Sequence, residues 1–513
     1  MKTIKPQEWK AELAEFKEKT NLFYAGEMDK GSYKGFSGKY GSYAQRSGKE
    51  NMLRLRMTAG RMTKEKLSFI ADMVEKHQVD LVHLTTCQTV QLHNLKPEAV
   101  CDIMEKALDH GIVTMGGGGD FPRNVMMSPL SGTEEEYFDV LPYAEAAADY
   151  LMNFINAEKM PRKLKVGFSN GPANISHATF RDLGFVARPD GLFDVYSAGG
   201  LGANPKFGVK VGEAVKPDQV LYYIRAMWET FRAYGNYENR AKARTRYMQD
   251  TLGREGYQKA FQEKLEGVYQ SGEELTINPD REEITKTGDG SQAEGRWISA
   301  QKQPGLYRYH YHPVGGGINP CKFREIYDII KDMDQVELRL SPDESLYVIN
   351  LTGAEAEKVQ AVLSDGAQTE FETSVACIGA SICQVGVRDS QKLLRAAVEA
   401  VREANLPEGA LPQIHISGCP SSCGTHQIGA IGFRGGVKMI DKKPYPAFVL
   451  FYHGCDRQGM EQMGKEIGTM LEEDIPRFLV ELGNTVKASG MDFAAWAKET
   501  PDGVEKVAGP YLR

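Results

Sequence analysis

Long apolar runs are missing from this 513-residue sequence: the longest obvious stretch, Ala447 to Tyr452, falls far short of the roughly 18 residues a membrane span needs. The N-terminus, MKTIKPQEWK, has no apolar signal-peptide segment, so a soluble cytoplasmic protein is expected. Cysteine is scarce, eight in all, which excludes a disulfide scaffold. Excess positive charge is absent too: 62 basic against 69 acidic residues give a net charge of −7, which argues against nucleic acid as the main partner. Disorder is excluded by 41% hydrophobic residues. At a prior of roughly 150 residues per domain, the length suggests three or four units with ample core.

What cysteine there is falls unevenly. Cys87, Cys101, Cys321 and Cys455 are scattered, whereas Cys377 and Cys383 (ACIGASIC) and Cys419 and Cys423 (GCPSSC) form two pairs with 35 residues between them. Thiolates are soft ligands, and a set of four suits a tetrahedral zinc ion or an iron–sulfur cubane. Structural zinc favours two to four intervening residues, so C-x3-C is admissible and C-x5-C is wide; a cubane is larger and accepts it. Any one of these thiols alone would read as an ordinary buried cysteine. The doubled pattern, with Gly379, Gly386, Gly418, Gly424 and Pro420 around it, points to a metal centre.

The chain also repeats itself. LKVGFSNGPANISHATFRDLGF (164–185) and PQIHISGCPSSCGTHQIGAIGF (412–433) align at a constant offset of 248, with four of 17 positions identical between Ser169/Ser417 and Phe185/Phe433. Each follows an alternating apolar strand. Gly171 and Ile175 stand where the second copy has Cys419 and Cys423. A second related pair, MLRLRMTAGRM (52–62) and LYRYHYHPVGGGI (306–318), predicts a strand and glycine turn opening each half; Leu67, Ile70 and Val74 then share one face of a helix. The polar stretch from Asp280 to Gly295 is the natural joint, and a helical stretch from about Pro217 to Glu266, containing RAKARTRY, closes the first half with its basic run as a solvated face.

Taken in order, LRLRMTAGRM, LTTCQTVQLHN, GGGGDFPRNVMMSPLSG, PRKLK, ACIGASIC and SGCPSSCG resemble the siroheme-containing sulfite and nitrite reductase family over nearly the whole chain. The resemblance implies an α+β, internally duplicated fold of two pseudo-symmetric halves, each a small ferredoxin-like half-domain and a larger α/β unit. The expected divisions are 1–112, 113–280, a linker at 281–296, 297–368 and 369–513. It implies a 4Fe-4S cluster on Cys377, Cys383, Cys419 and Cys423, with Cys423 also bridging to the siroheme iron. Arg54, Arg123, Lys163 and Lys165 are implied for the substrate anion, and Arg56, Gln91, His93 and Asn124 for the cofactor; a packed core histidine is the alternative for His93. The period of two in Lys163-Leu164-Lys165-Val166 and in Arg54-Leu55-Arg56 puts the paired cations on one face.

One residue departs from the pattern: the family has Arg where this chain has Cys87, and that Arg is thought to anchor a siroheme carboxylate. On this reading Cys87→Arg should be tolerated. The implied reaction is six-electron reduction of sulfite to sulfide or of nitrite to ammonia. Lys165, where nitrite enzymes often have Asn, favours sulfite, while GCPSSCG lies closer to nitrite-type motifs. With no C-x2-C-x2-C run, flavin fingerprint or P-loop in view, electrons are expected from an external donor, ferredoxin by family expectation. A non-catalytic iron–sulfur or zinc protein is the alternative from another class; a subunit needing a paired chain is disfavoured because both halves are present.

Overall fold

A computed structural model describes residues 6–512; the remaining residues of the expected first and last divisions, 1–5 and 513, lie outside it. The chain forms two compact units. The first comprises the chain up to Gly200 with Asn204–Tyr311 and Ile318–Ser364; the second comprises Leu201–Ala203, His312–Gly317 and the chain from Asp365 onward. Among the described residues there are four five-stranded sheets, and no helix is long and apolar enough to cross a membrane.

Two sheets of the first unit are built alike. One orders Ser42–Ala44, Asn51–Arg56, Thr89–Leu95 and Val82–Leu84, with a short edge strand ending at Ile318; the other orders Ile298–Ala300, Tyr307–Tyr311, Leu346–Leu351, Glu337–Leu340 and Arg61–Met62. Arg61–Met62 follows directly from the glycine turn Thr58–Gly60 of one half-domain, yet pairs with the sheet of the other, Met62 opposite Leu338 and Arg61 opposite Arg339. Helices Lys64–Lys76 and Lys322–Ile330 cover these sheets. The first starts where the Thr63 hydroxyl accepts from the Lys66 N–H, and buries Leu67, Ile70 and Val74 as its spacing predicts. One apolar core, from Trp9 to Leu363, serves both sheets.

The other two sheets carry the duplication in their register. In the first unit Met126–Met127, Val166–Ser169 and Leu183–Ala187 run parallel, followed by antiparallel Phe193–Ser197 and Val209–Val215. In the second, Val375–Ala376, Ile414–Ser417 and Ile431–Ile440 run parallel, followed by antiparallel Lys443–Tyr452 and Lys465–Leu471. Val166 pairs with Leu183 as Ile414 pairs with Ile431, which reproduces the offset of 248. Each sheet has its own apolar core.

The stretch after Pro217 departs from expectation. Helix Val220–Tyr234 ends at Gly235, and RAKARTRY forms two 3-10 turns before helix Met248–Gln270. Its basic run is solvated only in part: Lys242 is exposed, but Arg246 is buried with its Nε donating to the Asn204 carbonyl at 2.6 Å, and Arg244 donates to both Asp182 oxygens at 3.0 and 3.1 Å. Buried acceptors outweigh the charge pattern here.

Candidate active site

In the first unit, strand Asn51–Arg56 presents Arg54 and Arg56 to the glycine loop that precedes Arg123. Arg56 is 6% exposed and donates to three carbonyls, Met115 at 2.8 Å, Pro122 at 3.2 Å and Arg123 at 3.0 Å. Burial and the neighbouring Arg123 depress its pKa to about 9. Arg56 therefore fastens the loop. A side chain at Gly116 (φ +72) would come within 2.6 Å of the Arg56 Nη1, so glycine is required there.

Arg54 and Arg123 converge on one acceptor. The Arg54 Nη1 donates to the Gly117 carbonyl, and the Arg123 Nη1 donates to the same oxygen at 2.7 Å; the Arg123 Nη2 reaches the Gly119 carbonyl at 3.0 Å. The Arg123 Nε is buried without a partner. Burial and the Arg54 charge hold the Arg123 pKa down, at about 10. With its amide turned so that the oxygen faces Arg54, Gln91 accepts from the Arg54 Nη2 at 2.5 Å and Nε at 3.2 Å and donates to the His93 Nε2 at 3.3 Å. Gln91 thus orients Arg54. His93, 1% exposed, is a core histidine, its pKa pushed to about 3 by burial, then by His83 and Arg54.

Backbone pairing brings the lysine strand alongside. The Arg123 N–H donates to the Leu164 carbonyl at 2.8 Å, and the Leu183 N–H to the Lys165 carbonyl at 3.2 Å. Leu164 and Val166 are buried, and Lys163 and Lys165 are half-buried. The Lys165 Nζ donates to the Cys87 Sγ at 3.2 Å. Cys87 lies in the turn before strand Thr89–Leu95, where the Asn124 Nδ2 holds the carbonyls of Cys87 and Gln88 at 3.1 and 3.0 Å. Asn124 fastens that turn, its amide nitrogen being taken by those two carbonyls.

Sequence reading missed Arg181 and Asp182. The Arg181 Nε donates to the Ser176 carbonyl at 2.9 Å, and its charge acts on Cys87 and Lys165. Asp182 accepts from the Lys165 N–H at 2.8 Å, from Arg244 and from the Thr245 hydroxyl. The repeat held the signal: at the offset of 248 these two charged residues face Gly429 and Ala430 in the other copy. Among the described residues, no carboxylate lies within ion-pair range of the side chains of Arg54, Arg123 or Lys165. The charge in this part of the first unit suits it to receive an anion.

In the second unit the cysteine loops are interlocked. The N–H groups of Val387 and Arg388 donate to the Gly418 carbonyl at 3.0 and 2.8 Å, and the Gly418 N–H donates to the Cys377 Sγ at 3.2 Å. A side chain on Gly424 would lie 2.0 Å from the Ile416 carbonyl oxygen and 3.2 Å from the Cys377 nitrogen. Cys377, Cys383 and Cys419 are half-buried and Cys423 is exposed. Burial, then the charge of Cys423, pushes the Cys377 thiol up to about 12; bound iron would replace that proton. Among the described residues no three Cys, His, Asp or Glu side chains meet at single-ion distance. Backbone donors to sulfur and two thiolate-bearing loops pressed together fit a cubane, whose ligands stand wider apart.

The family model described as "Nitrite and sulphite reductase 4Fe-4S domain" matches residues 118–268, the first of the two equivalent α/β sheets, and the "Nitrite/Sulfite reductase ferredoxin-like half domain" matches 43–110. The chain is 25% identical to a sulfite reductase (NADPH) hemoprotein beta-component of Bacillus pumilus, over 88% of this chain and 85% of that one. It is 26% identical to a ferredoxin–nitrite reductase of Leptolyngbya laminosa, over 83% of each, and 25% identical to "sulfite reductase (ferredoxin) 1" of Mycolicibacterium paratuberculosis, over 75% of this chain and 69% of that one. In fold it is similar to the solved Mycobacterium tuberculosis NirA protein, with a TM-score of 0.76, 22% identity and 97% of each chain covered.

Proposed function

The chain belongs to the nitrite and sulphite reductase family of siroheme and 4Fe-4S oxidoreductases, and on that premise we propose that it reduces sulfite to sulfide with six electrons from an external ferredoxin in the cytoplasm. The observation that carries the reading is the convergence of Arg54, Arg123 and Lys165 without a carboxylate. Fixed cations in a partly dry site demand an anion, and a charge placed there interacts far more strongly than it would in water.

When bound, the siroheme and cluster supply single-electron transfer and an iron to which the anion binds. The protein's part is position, charge and protons. Cys377, Cys383, Cys419 and Cys423 would hold the cluster, and Cys423 would also serve the siroheme. Arg54, oriented by Gln91, and Arg123, anchored on Gly117 and Gly119, hold oxyanion charge. Lys165 and Lys163 hold charge and deliver protons from Nζ as each oxygen leaves as water. Arg56 and Asn124 keep the loops that carry Arg123 and Cys87 in place.

Sulfite is preferred because it is partly a dianion near neutral pH, and the Lys165 ammonium adds to the arginines in favouring two charges over one. Nitrite is the second reading, favoured by the 26% identity to a ferredoxin–nitrite reductase. The donor assignment is supported by the ferredoxin named for two of the relatives. A reduced-viologen assay of both anions on purified, spectrally loaded protein is the test: sulfite should have the higher kcat/KM, a higher value for nitrite would transfer the assignment, and turnover of neither would reject the reading.

A further inference from the structure

The anion receptor contains one group whose chemistry the reaction above does not use. Cys87 Sγ sits 3.2 Å from the Lys165 Nζ, and that sulfur is the only side-chain acceptor the ammonium has among the described residues. The turn is built to hold it. The Cys87 N–H donates to the Thr85 hydroxyl at 3.3 Å, Asn124 clamps the carbonyls of Cys87 and Gln88, and the Gln88 Nε2 reaches the carbonyls of Met127 at 3.0 Å and Leu340 at 2.6 Å. Around the sulfur stand Lys165 and Arg181, from the segments just before strands Val166–Ser169 and Leu183–Ala187, and Arg54 from strand Asn51–Arg56, with Arg123 nearby from the glycine loop. Arg244 lies behind Lys165, where Asp182 neutralises it.

Resting on the functional reading above, we propose that Cys87 is the anionic positioning residue of Lys165: as a thiolate it holds the ammonium in place and keeps it protonated among neighbouring arginines. The physical need is plain. Burial and the charges of Arg181 and Arg244 pull the Lys165 pKa down, and Cys87 is the largest influence raising it again. The same cations stabilise the thiolate: burial opposes ionisation, but Lys165, Arg181 and Arg54 bring the Cys87 pKa down to about 6. A carboxylate would do similar work, but it is larger and more strongly hydrated; a thiolate is compact and soft. This geometry also reverses the sequence expectation for Cys87→Arg. An arginine there would remove the one anion and add a cation beside Lys165, Arg181 and Arg54, so it should weaken the fold.

Two measurements test the proposal. The first needs no turnover: residue-resolved iodoacetamide alkylation of the intact holoprotein, followed by mass spectrometry across pH. Cys87 should reach half its maximal rate near pH 6, and in Lys165→Met that midpoint should rise by about one unit or more. Reaction only above pH 8, or a midpoint unchanged in Lys165→Met, would overturn the pairing. The second is the pH profile of kcat with reduced viologen in Cys87→Ser and Cys87→Asp. The serine variant should lose the alkaline limb about one pH unit earlier than wild type, and aspartate should restore it. An alkaline limb unmoved in the serine variant, with siroheme bands retained, would overturn the role. If neither anion is reduced at all, the alkylation result still decides the pair.

Discussion

Ser128 stands in the first α/β sheet where Cys377 stands in the second: the Asn170 N–H donates to the Ser128 Oγ at 3.2 Å, and the Gly418 N–H donates to the Cys377 Sγ at 3.2 Å. The main chain agrees, Ser128 N–H reaching the Phe168 carbonyl at 3.1 Å and Cys377 N–H the Ile416 carbonyl at 3.2 Å. With Gly171 and Ile175 in place of Cys419 and Cys423, three proposed ligand positions of one copy have oxygen, hydrogen or hydrocarbon counterparts in the other. The backbone hydrogen bond to this side-chain atom is thus a property of the fold, and in only one copy does it fall on a proposed cluster ligand.

Replacing Cys377 or Cys419 by Ser should abolish the cluster. A hydroxyl is a poor soft ligand, and the Gly418 N–H would tune an oxygen instead of a thiolate. Iron analysis and the electron paramagnetic resonance of the reduced protein are the measurements; a full complement of four irons in Cys419→Ser would sink the four-ligand assignment.

Arg123→Met should lower kcat/KM for sulfite by roughly 10²- to 10³-fold, on the scale of losing one preorganised charge donor. Its anchoring carbonyls, Gly117 and Gly119, are in part shared with Arg54 or lie in a loop that Arg56 holds, so the fold should survive. Steady-state kinetics together with the absorption spectrum check this.

Arg56→Met should behave oppositely, as a stability variant. It strands the carbonyls of Met115, Pro122 and Arg123 in a buried loop, at a cost of about 3 kcal/mol or more. Urea unfolding should show the loss; an unchanged midpoint would leave Arg56 to its expected place on the cofactor.

Lys165→Asn should cost more for sulfite than for nitrite, because a dianion loses more from removal of one charge. Paired kcat/KM values for both anions are the readout, and an equal loss would make Lys165 a general electrostatic group.

Acid stability should depend on His93. Its pKa is about 3 in the fold against 6.5 when exposed, so below pH 6.5 the unfolded chain takes up a proton that the fold refuses. Its contribution is intact above pH 6.5 and falls as pH drops toward 3, by on the order of 5 kcal/mol in full. Unfolding of His93→Gln at pH 7 and pH 5 measures it; the variant should show the smaller difference.

Much of the architecture was legible because it is periodic. The offset of 248 fixed which strands correspond, and alternation placed Leu164 and Val166 inward. Arg54 and Lys165 could be named from motifs, but their partners could not, since Gly117 is 63 residues from Arg54 and Cys87 is 78 from Lys165. Strand alternation put Gln91 and His93 on one face without saying that His93 would be sealed. RAKARTRY read as a helix with a solvated face because composition carries no record of Asp182, which draws Arg244 inward.

The exchanged strand Arg61–Met62 imposes an order on biosynthesis. Its sheet partner, and the Glu337 carboxylate that Arg61 engages at 2.7 Å, lie 276 residues downstream. At 5–20 residues per second, the ribosome takes roughly 14 to 55 s to supply them. Throughout that interval the nascent first half carries a strand with no ladder to join, a standing invitation to pair with another chain. Pairing of Arg61–Met62 must therefore wait for the second half-domain, and co-translational folding of the first cannot close this edge by itself.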